Sequence, residues 1–280
     1  MTKTHLYTIV YDSQKKTNLI TYIFKMYQEL KIYRYAYFNF VSGMLSSRYR
    51  RSSLGFFWAL LNPLFNLTVL AFIFSLVFKQ DLRTFGVYVF SALSPWMFIS
   101  TCLSLSPNAF IQNESYLKKV YIPKIIFPLT LISVEVINFF FSLIAIYIIF
   151  ILVGSKISWV TLLLPFPIII TFVFMLGLGM FLSVAQVYFR DIGQIISVSI
   201  GALMYTVPII YPMTTIPVQL RPILYFNPLF QVINLFRALI YDVRVPEWYE
   251  WLIPSVIALL SFLLGCYVLM KNENDLVFRL

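Results

Sequence analysis

Histidine, cysteine and acidic side chains are scarce in this chain. Its 280 residues include one histidine, His5, two cysteines, Cys102 and Cys266, and only 11 Asp and Glu residues. Both cysteines lie inside apolar runs, which excludes a disulfide framework and a cysteine metal cluster. A single histidine leaves no plausible catalytic triad and no histidine-based metal site.

Nucleotide-binding motifs are also absent. The sequence contains no GxxxxGK[ST] P-loop and no GxGxxG after a strand. The chain therefore cannot bind a nucleotide in a P-loop by itself, and energy for its work must come from elsewhere. Glu135 is the one clear intramembrane ionisable residue, and we interpret it as a buried carboxyl hydrogen-bonded to a neighbour such as Asn138. Secondary carriers usually have several intramembrane charges and an internal repeat. This chain has one such acid and no evident repeat, which disfavours a stand-alone secondary carrier or flippase. That class is kept as the alternative.

Apolar residues dominate instead. Hydrophobic residues make up 60% of the chain and charged residues 11%, against about 25% charged in soluble domains. Six apolar runs are long enough to cross a hydrocarbon core of about 30 Å as helices. They cover residues 54–78, 85–110, 125–153, 159–189, 192–211 and 251–270. The predicted fold is an all-α integral membrane protein with six transmembrane helices.

The distribution of Lys and Arg predicts that both termini are cytoplasmic. Because six is an even number of spans, both termini lie on the same side of the membrane. That side carries nine Lys and Arg residues up to Arg51, three at residues 118–124, one at Arg190 and two in the tail. The opposite side carries the other six of the 21. Cytoplasmic segments are enriched in Lys and Arg, so the net charge of +10 indicates topology and not a nucleic-acid partner.

Residues 22–53 are predicted to form a cytoplasmic interfacial helix with a basic lead-in to the first span. An apolar row that includes Ile23 and Met26 recurs at helical spacing, while Lys25 and Glu29 fall on the other face. A soluble helix docked on a partner is the alternative. The arginines of the lead-in are suited to lipid phosphates or, equally, to anionic headgroups; they are Arg48, Arg50 and Arg51.

The segment between the fifth and sixth spans is rich in proline. Asn227 and Pro228 have the character of an N-cap and a first-turn proline for a helix over residues 228–241. Such a helix of about 21 Å is too short to cross the membrane. We predict a re-entrant helical segment on the external side, with a cavity or pore mouth because broken backbone needs a cover of protein or water. Asp242, Glu247 and Glu250 there are interpreted as a solvated loop end in preference to the grouped acids of a membrane glycosyltransferase.

Two cytoplasmic connections carry further signals. Asp191 is predicted to cap the fifth helix through its side chain. In the loop at residues 113–123, Tyr116, Leu117 and Val120 can share one face while Lys118 and Lys119 stay solvated. This short element suits docking on a soluble partner, although its lysines are equally explained as topology signals.

Several stretches together resemble the membrane permease subunit of type-2 ABC exporters. They are RYRRSSLGFFWALLNP at residues 48–63, the loop at residues 113–123, Arg190 with Asp191, and Asn227 and Pro228 with Arg237. More narrowly, they are similar to permeases that export lipid-linked O-antigen, with capsule and teichoic acid exporters as relatives. The resemblance divides the chain into a variable cytoplasmic N-terminus (1–21), the interfacial segment (22–53), a permease domain (54–270) and a cytoplasmic tail (271–280).

The resemblance implies a homodimer in the bacterial inner membrane, paired with two copies of a cytoplasmic ATPase that binds Mg-ATP. No cofactor is then expected on this chain. The residues it assigns to ATPase coupling are Tyr27, Glu29, Tyr116, Leu117, Lys118, Lys119 and Val120. It assigns Asn227, Pro228 and Arg237 to an external gate, and spans one and five to the export channel.

Aromatic side chains on those two spans are candidates for contact with a glycan. Sugar rings stack their C–H faces on aromatic planes, and such contacts tolerate sliding. The candidates are Phe56, Phe57, Trp58, Phe65, Tyr205 and Tyr211. Lipid-facing bulk or interfacial anchoring is the alternative for each of them.

Overall fold

The computed structural model describes residues 18–49, 55–79, 81–153 and 158–280. All regular secondary structure within those ranges is helical. This confirms the predicted all-α class. The helices are α1 (Leu19–Ile32), α2 (Arg34–Tyr49), α3 (Trp58–Phe78), α4 (Leu82–Leu105), α5 (Glu114–Lys119), α6 (Ile126–Val153), α7 (Pro165–Tyr188), α8 (Ile192–Tyr205), α9 (Arg221–Tyr225), α10 (Pro228–Ile240), α11 (Trp248–Asn272) and α12 (Leu276–Arg279).

Four segments of the described chain are long and apolar enough to cross a membrane. They are Thr84–Ala109, Ile126–Ile151, Trp159–Tyr188 and Trp248–Asn272, and they correspond to α4, α6, α7 and α11. α8 is shorter than predicted, because it ends at Tyr205 and not near Tyr211. Pro208 explains the early end, since a proline disfavours helical backbone in the residue before it and has no N–H to donate.

α4 is the central helix of the bundle. Of its apolar span, 78% is buried inside the protein, against 28% for α11. α4 packs against α3, α6, α8 and α10, and the hydroxyls of Ser94 and Ser142 join it to α6 at 2.9 Å. Large side chains such as Phe85 and Ile99 fill the space around it.

α7 and α11 form the closest helix pair, because small residues let their backbones touch. A Cβ at Gly177 would lie 2.3 Å from the carbonyl carbon of Ser261, and one at Gly265 would lie 2.4 Å from the carbonyl oxygen of Gly177. The Ser261 hydroxyl donates to the carbonyl of Phe174 at 3.0 Å. Small residues at close crossings are the usual means of joining helices in a membrane, where apolar burial gives little net drive.

The predicted interfacial helix is two helices. α1 and α2 are separated at Tyr33, whose backbone leaves the α-helix and whose N–H bonds to the carbonyl of Glu29. α1 packs on the end of α11, α2 on α6, and α12 on α5 and α7. These elements gather at one end of the bundle, which we call the α1 end (α1, α2, α5 and α12).

The opposite end is built from the proline-rich segment. We call it the α10 end (residues 206–247 with the first turns of α4 and α11). The Asn227 side chain accepts from the N–H of Leu229 at 3.0 Å, and Pro228 is the first residue of α10, as predicted. Most of α10 is buried, against α4, α7 and α11, so the broken backbone around it has the protein cover that the sequence required.

Candidate functional site

An ion pair ties α2 to α6 at the α1 end. The guanidinium of Arg48 donates to the Glu135 carboxylate at 2.7 Å, and the Asn138 amide donates to the other carboxylate oxygen at 3.2 Å. The Glu135 side chain is 6% exposed and that of Arg48 is 40% exposed. The predicted Asn138 partner is confirmed. The sequence missed the larger contact with Arg48, because the two residues lie far apart in the chain.

This pairing changes the interpretation of the basic lead-in. Arg48 bonds to a protein carboxylate, so its guanidinium has fewer donors left for a lipid phosphate than predicted. Arg50 and Arg51 lie outside the described residues.

Hydroxyl and aromatic contacts extend the α2 interface. The Tyr37 hydroxyl donates to Ser133 on α6 at 2.8 Å. The Phe40 ring packs edge-on against Tyr116 of α5, at 5.2 Å between ring centroids, and against Phe127 of α6. α2 therefore contacts both the short α5 helix and the first turns of α6.

α5 presents part of the surface predicted for a soluble partner. Leu117 is buried, whereas Tyr116 and Val120 are 50% and 58% exposed, so the three do not share one buried face. Lys118 pairs with Glu114 one turn earlier, and both side chains are largely exposed. The exposed side chains of α5 are therefore available to a neighbour, while Leu117 holds the helix on the bundle.

Glu29 lies on the opposite face of α1 from that predicted. It is buried, with Tyr22 and Met26, while Tyr27 is 53% exposed. Its carboxylate accepts from the Tyr121 hydroxyl at 3.0 Å and lies 3.7 Å from the Lys25 ammonium. These partners compensate for burial, which is why a polar residue sits on the packed face.

Ionisable groups are concentrated around Glu29. Burial raises the pKa of Glu29 above its ordinary value, and nearby Glu273 adds to the shift while Lys25 opposes it. Burial likewise raises the pKa of Tyr121 to about 12 and lowers that of Lys124. Glu29 is therefore an internal contact of the α1 end and not an exposed coupling residue.

Arg237 occupies the centre of the α10 end. It is 6% exposed, and its guanidinium donates to the carbonyl of Pro208 at 2.6 Å and lies over the Tyr88 ring at 4.1 Å. The Tyr88 hydroxyl donates to the carbonyl of Tyr211 at 2.9 Å. Arg237 and Tyr88 thus hold the turn after α8 against α4 and α10. No local sequence pattern indicated Tyr88.

A cavity of about 750 Å³ opens beside Arg237. It confirms the predicted cavity next to the proline-rich segment.

Arg244 binds Glu250 through two hydrogen bonds of 2.6 and 2.7 Å, and the Asn234 amide donates to the same carboxylate at 3.0 Å. Burial raises the pKa of Asp242, opposed by Arg244, while the bonds to Glu250 raise the pKa of Arg244.

The acids of this loop form hydrogen bonds and ion pairs within the protein. The prediction of a solvated loop end is wrong for Glu250, which is buried. Glu247 and Glu250 form a capping box at the start of α11, each side chain accepting from the other's backbone N–H. Glutamate is not one of the usual N-cap residues, so the sequence does not match the capping-box pattern here.

α8 exposes small and polar residues together with apolar ones, among them Ile195 and Val198, which are 56% and 68% exposed. None of its residues is fully buried, and one exposed row follows helical spacing through Gln194, Ser197, Gly201 and Tyr205. Ile192, Ile196 and Ile200 on its other side pack against the core.

Asp191 is at the N-cap position of α8 but makes no side-chain capping bond. Gln186 does so instead, accepting from the N–H of Gly193 at 2.5 Å.

The predicted glycan-contact aromatics are mostly exposed. Phe57, Trp58, Phe65 and Tyr205 are between 37% and 72% exposed, and the Phe56 side chain lies outside the described residues. The Tyr211 hydroxyl donates to the carbonyl of Tyr205 at 2.9 Å. The structure therefore brings these two tyrosines together at the end of α8.

Comparison with known proteins gives a consistent family assignment. Residues 35–241 match the family described as ABC-2 type transporter. The chain is 29% identical over 225 residues to the O-antigen export system permease protein RfbA of Myxococcus xanthus, covering 80% of this chain and 86% of that protein. It is 29% identical over 197 residues to the protein of the same name from Klebsiella pneumoniae, covering 70% and 76% of the two chains. It is 22% identical over 242 residues to the polysialic acid transport protein KpsM of Escherichia coli, covering 83% and 92%.

Proposed function

The chain belongs to the ABC-2 type transporter family, and from this premise we propose that it is the permease subunit of an ABC exporter. The proposed substrate is a lipid-linked polysaccharide of the O-antigen type, moved across the bacterial inner membrane. The names of the relatives support this substrate class, since they are permeases for O-antigen export and a protein for polysialic acid transport.

The exposed face of α8 carries the proposal. On this face the Gln194 amide and the Tyr205 hydroxyl are costly toward hydrocarbon, and Ser197 and Gly201 allow another helix to approach closely. They are typical of surfaces that meet another helix or a polar path. Two copies that place their α8 faces toward each other, with α3 alongside, would enclose a conduit between them.

The proposed topology has six crossings, with α3 as the first. α8 is about 21 Å long, so the fifth crossing also takes in residues 206–211. The α1 end then faces the cytoplasm and the α10 end faces outward. Within the described residues, the α1 end holds Lys118, Lys119, Lys124, Arg190, Lys271 and Arg279, besides the four cations of α1 and α2. This excess of Lys and Arg supports the orientation. α9 and α10 would form the re-entrant segment and the outer gate.

A separate ATPase supplies the energy in this proposal. The chain has no P-loop sequence, and the exposed side chains of α5 and Tyr27 offer a surface for two such subunits, each holding Mg-ATP. Because α2 contacts α5 and is bonded to α6 through Arg48 and Glu135, movement of the docked ATPase would reach the membrane helices.

Arg50 and Arg51 are proposed to receive the substrate's phosphates, for which arginine offers bidentate donors. Replacing both with Gln should reduce export while membrane level and ATPase pairing stay intact. Unchanged glycan at the cell surface would rule this role out.

Gly201→Phe tests the conduit. A Cβ at Gly201 would have no atom of the described residues within 4 Å, so the variant should fold and reach the membrane. Export of surface polysaccharide in a deletion strain should nevertheless fall at least tenfold, because two bulky rings would enter the conduit. The matched control is Leu260→Phe, at an exposed position on α11, which should export normally.

Dependence on the ATPase is tested in proteoliposomes. The chain and its ATPase should move labelled lipid-linked glycan only with Mg-ATP present. Transport by the chain alone would favour a secondary carrier and contradict the proposal.

A further inference from the structure

The cavity at the α10 end has the size and lining of a binding site. Its volume of about 750 Å³ lies within the range of about 300–1,000 Å³ usual for small-molecule sites. It is enclosed by α9, α10, the first turns of α11 and residues 212–214. Residues distant in sequence therefore meet there around a space the protein leaves open.

Aromatic side chains form the walls of this cavity. Tyr225, Phe226 and Tyr249 line it and are 54%, 87% and 41% exposed. Lipid-facing anchors would explain exposed aromatics on an apolar surface. These rings stand beside carboxylates, guanidinium groups and amides, so they offer flat faces to a ligand that is itself polar. Sugar rings have that character, with C–H faces for stacking and hydroxyls at their edges.

The charges in the cavity cancel. Arg237 and Arg244 are balanced by Asp242 and Glu250 among its lining residues, and Arg244 is already paired with Glu250. An anion or a cation would gain no net attraction. The Asp242 carboxylate, which can accept, and the Gln231 and Asn234 amides, which can donate and accept, suit an uncharged ligand with many hydroxyls.

Arg237 gives the site a fixed floor with hydrogen-bonding capacity. Arg237 is 6% exposed. Its guanidinium is held by the Pro208 carbonyl and the Tyr88 ring. Its Nε has no hydrogen-bond partner within the described part of the chain. Because that Nε is itself sealed from the cavity, a hydrogen bond to a ligand would come from the terminal nitrogens of this firmly held guanidinium.

We propose that this cavity binds uncharged sugar residues of the exported polymer at the α10 end, with Tyr225 and Tyr249 stacking on the sugar rings. The inference rests on the proposed function, because it takes the substrate class from it and assigns that substrate a second contact outside the conduit. Binding there would hold the emerging chain and oppose its return.

The test measures binding of oligosaccharide fragments by ligand-observed NMR. The full-length protein, with its ATPase, is placed in nanodiscs. The probe is a set of fragments two or three repeat units long, released by mild acid from the surface polysaccharide of the strain that carries this gene. Tyr249→Ala should weaken binding at least tenfold, whereas Tyr249→Phe should keep it within about threefold, because stacking needs the ring and not the hydroxyl.

Trp159→Ala is the matched control, since Trp159 is an exposed aromatic ahead of α7 that is not among the cavity's lining residues. It should bind like the unmodified protein. Tyr225→Ala provides a second variant on another element, in case Tyr249→Ala does not fold. A trimer of sialic acid, an anionic probe, should bind at least tenfold more weakly than the fragments.

Equal affinity of Tyr249→Ala, Tyr225→Ala and the unmodified protein, or no binding by any of them, would overturn the site. Equal binding of the anionic trimer would overturn the assignment to uncharged sugars. Neither result touches the proposed function, which fails only if Mg-ATP-driven export fails in proteoliposomes.

Discussion

The two ends of the bundle use polar side chains in different ways. At the α1 end, hydrogen bonds join helices that are far apart in the sequence, as in Tyr37–Ser133, Arg48–Glu135 and Glu29–Tyr121, separated by 96, 87 and 92 positions. At the α10 end the bonds to the carboxylate are local, with Arg244 and Asn234 bonding to Glu250 from 6 and 16 positions away, and Tyr88 makes the long-range contact, with Tyr211. The first arrangement fastens separate elements together, whereas the second builds a self-contained cap around a cavity.

This difference suggests a division of labour. A force applied at the α1 end reaches α6 through the bond from α2. The side-chain hydrogen bonds of residues 206–247 at the α10 end stay within residues 203–250, apart from those of Tyr88 on α4. The α7–α11 pair connects the two ends. The following predictions are arranged from the largest expected effect to the smallest.

Gly177→Leu should disrupt both ends together. Its side chain would meet the backbone of α11 at Ser261, and overpacking against backbone should cost at least about 3 kcal/mol. The amount of monodisperse protein in detergent, measured by size-exclusion chromatography, should fall sharply. Gly201→Leu, at an open position on α8, is the control, and equal yields of the two variants would contradict the role of this seam.

Arg48→Met should destabilise the α1 end more than Glu135→Gln does. Losing Arg48 leaves a buried carboxylate, at a cost of about 2–3 kcal/mol after allowance for the exposed side of the pair. Losing the charge of Glu135 leaves an arginine that can reach water, at about 1 kcal/mol. Thermal unfolding of the purified variants would measure both effects. The pair Arg48→Met with Glu135→Met should recover part of the loss, and an additive double variant would argue against direct coupling.

Arg244→Met should loosen the α10 end alone. Glu250 keeps its bonds from Asn234 and from the backbone of Glu247, so we expect a loss of about 1–2 kcal/mol. Hydrogen exchange should increase in residues 241–250 and not in α2. Increased exchange in α2 would mean that the two ends are coupled more tightly than their contacts indicate.

Glu29→Gln should change the pH dependence of the α1 end. The raised pKa of Glu29 means that the folded protein binds this proton more tightly than the unfolded chain does. The associated stability is fully present below about pH 4.3, the ordinary glutamate pKa, and is lost as pH rises through the folded pKa.

The variant should therefore be slightly more stable than the unmodified protein at pH 7, by less than about 1 kcal/mol, and level with it near pH 4. Gln retains an acceptor for the Tyr121 hydroxyl, which keeps the comparison clean. Melting temperatures measured from pH 4 to pH 8 would test this, and a difference of the opposite sign would show that Lys25 dominates over burial.

Local features of the fold were predictable. The Asn227 cap and first-turn Pro228 appear as expected, because an N-cap depends only on residues within one turn. The apolar runs correctly located α4, α6, α7 and α11. The end of α8 was misplaced, because apolar residues continue past Tyr205 and hydropathy alone does not register the effect of Pro208.

The candidate sites were predicted only in part. The cavity was expected from the prolines, yet its lining was not, because Tyr88 comes from a helix more than 100 positions away. Helical spacing assigned Glu29 to the polar face of α1, together with Lys25. The burial of Glu29 is possible because Tyr121 and Lys25 lie close enough to compensate for desolvation. Helical periodicity cannot predict the contact with Tyr121, which lies in another segment of the chain.

The sequence by itself determined that this is a helical membrane protein with no P-loop of its own, because apolar length and motif spacing are properties of the chain read in order. Only the tertiary structure decided which polar groups meet. Arg48 with Glu135, Glu29 with Tyr121, and Arg237 with Tyr88 and Pro208 are brought together by packing. In a bundle where water cannot satisfy buried polar groups, those pairings fix how the helices are joined.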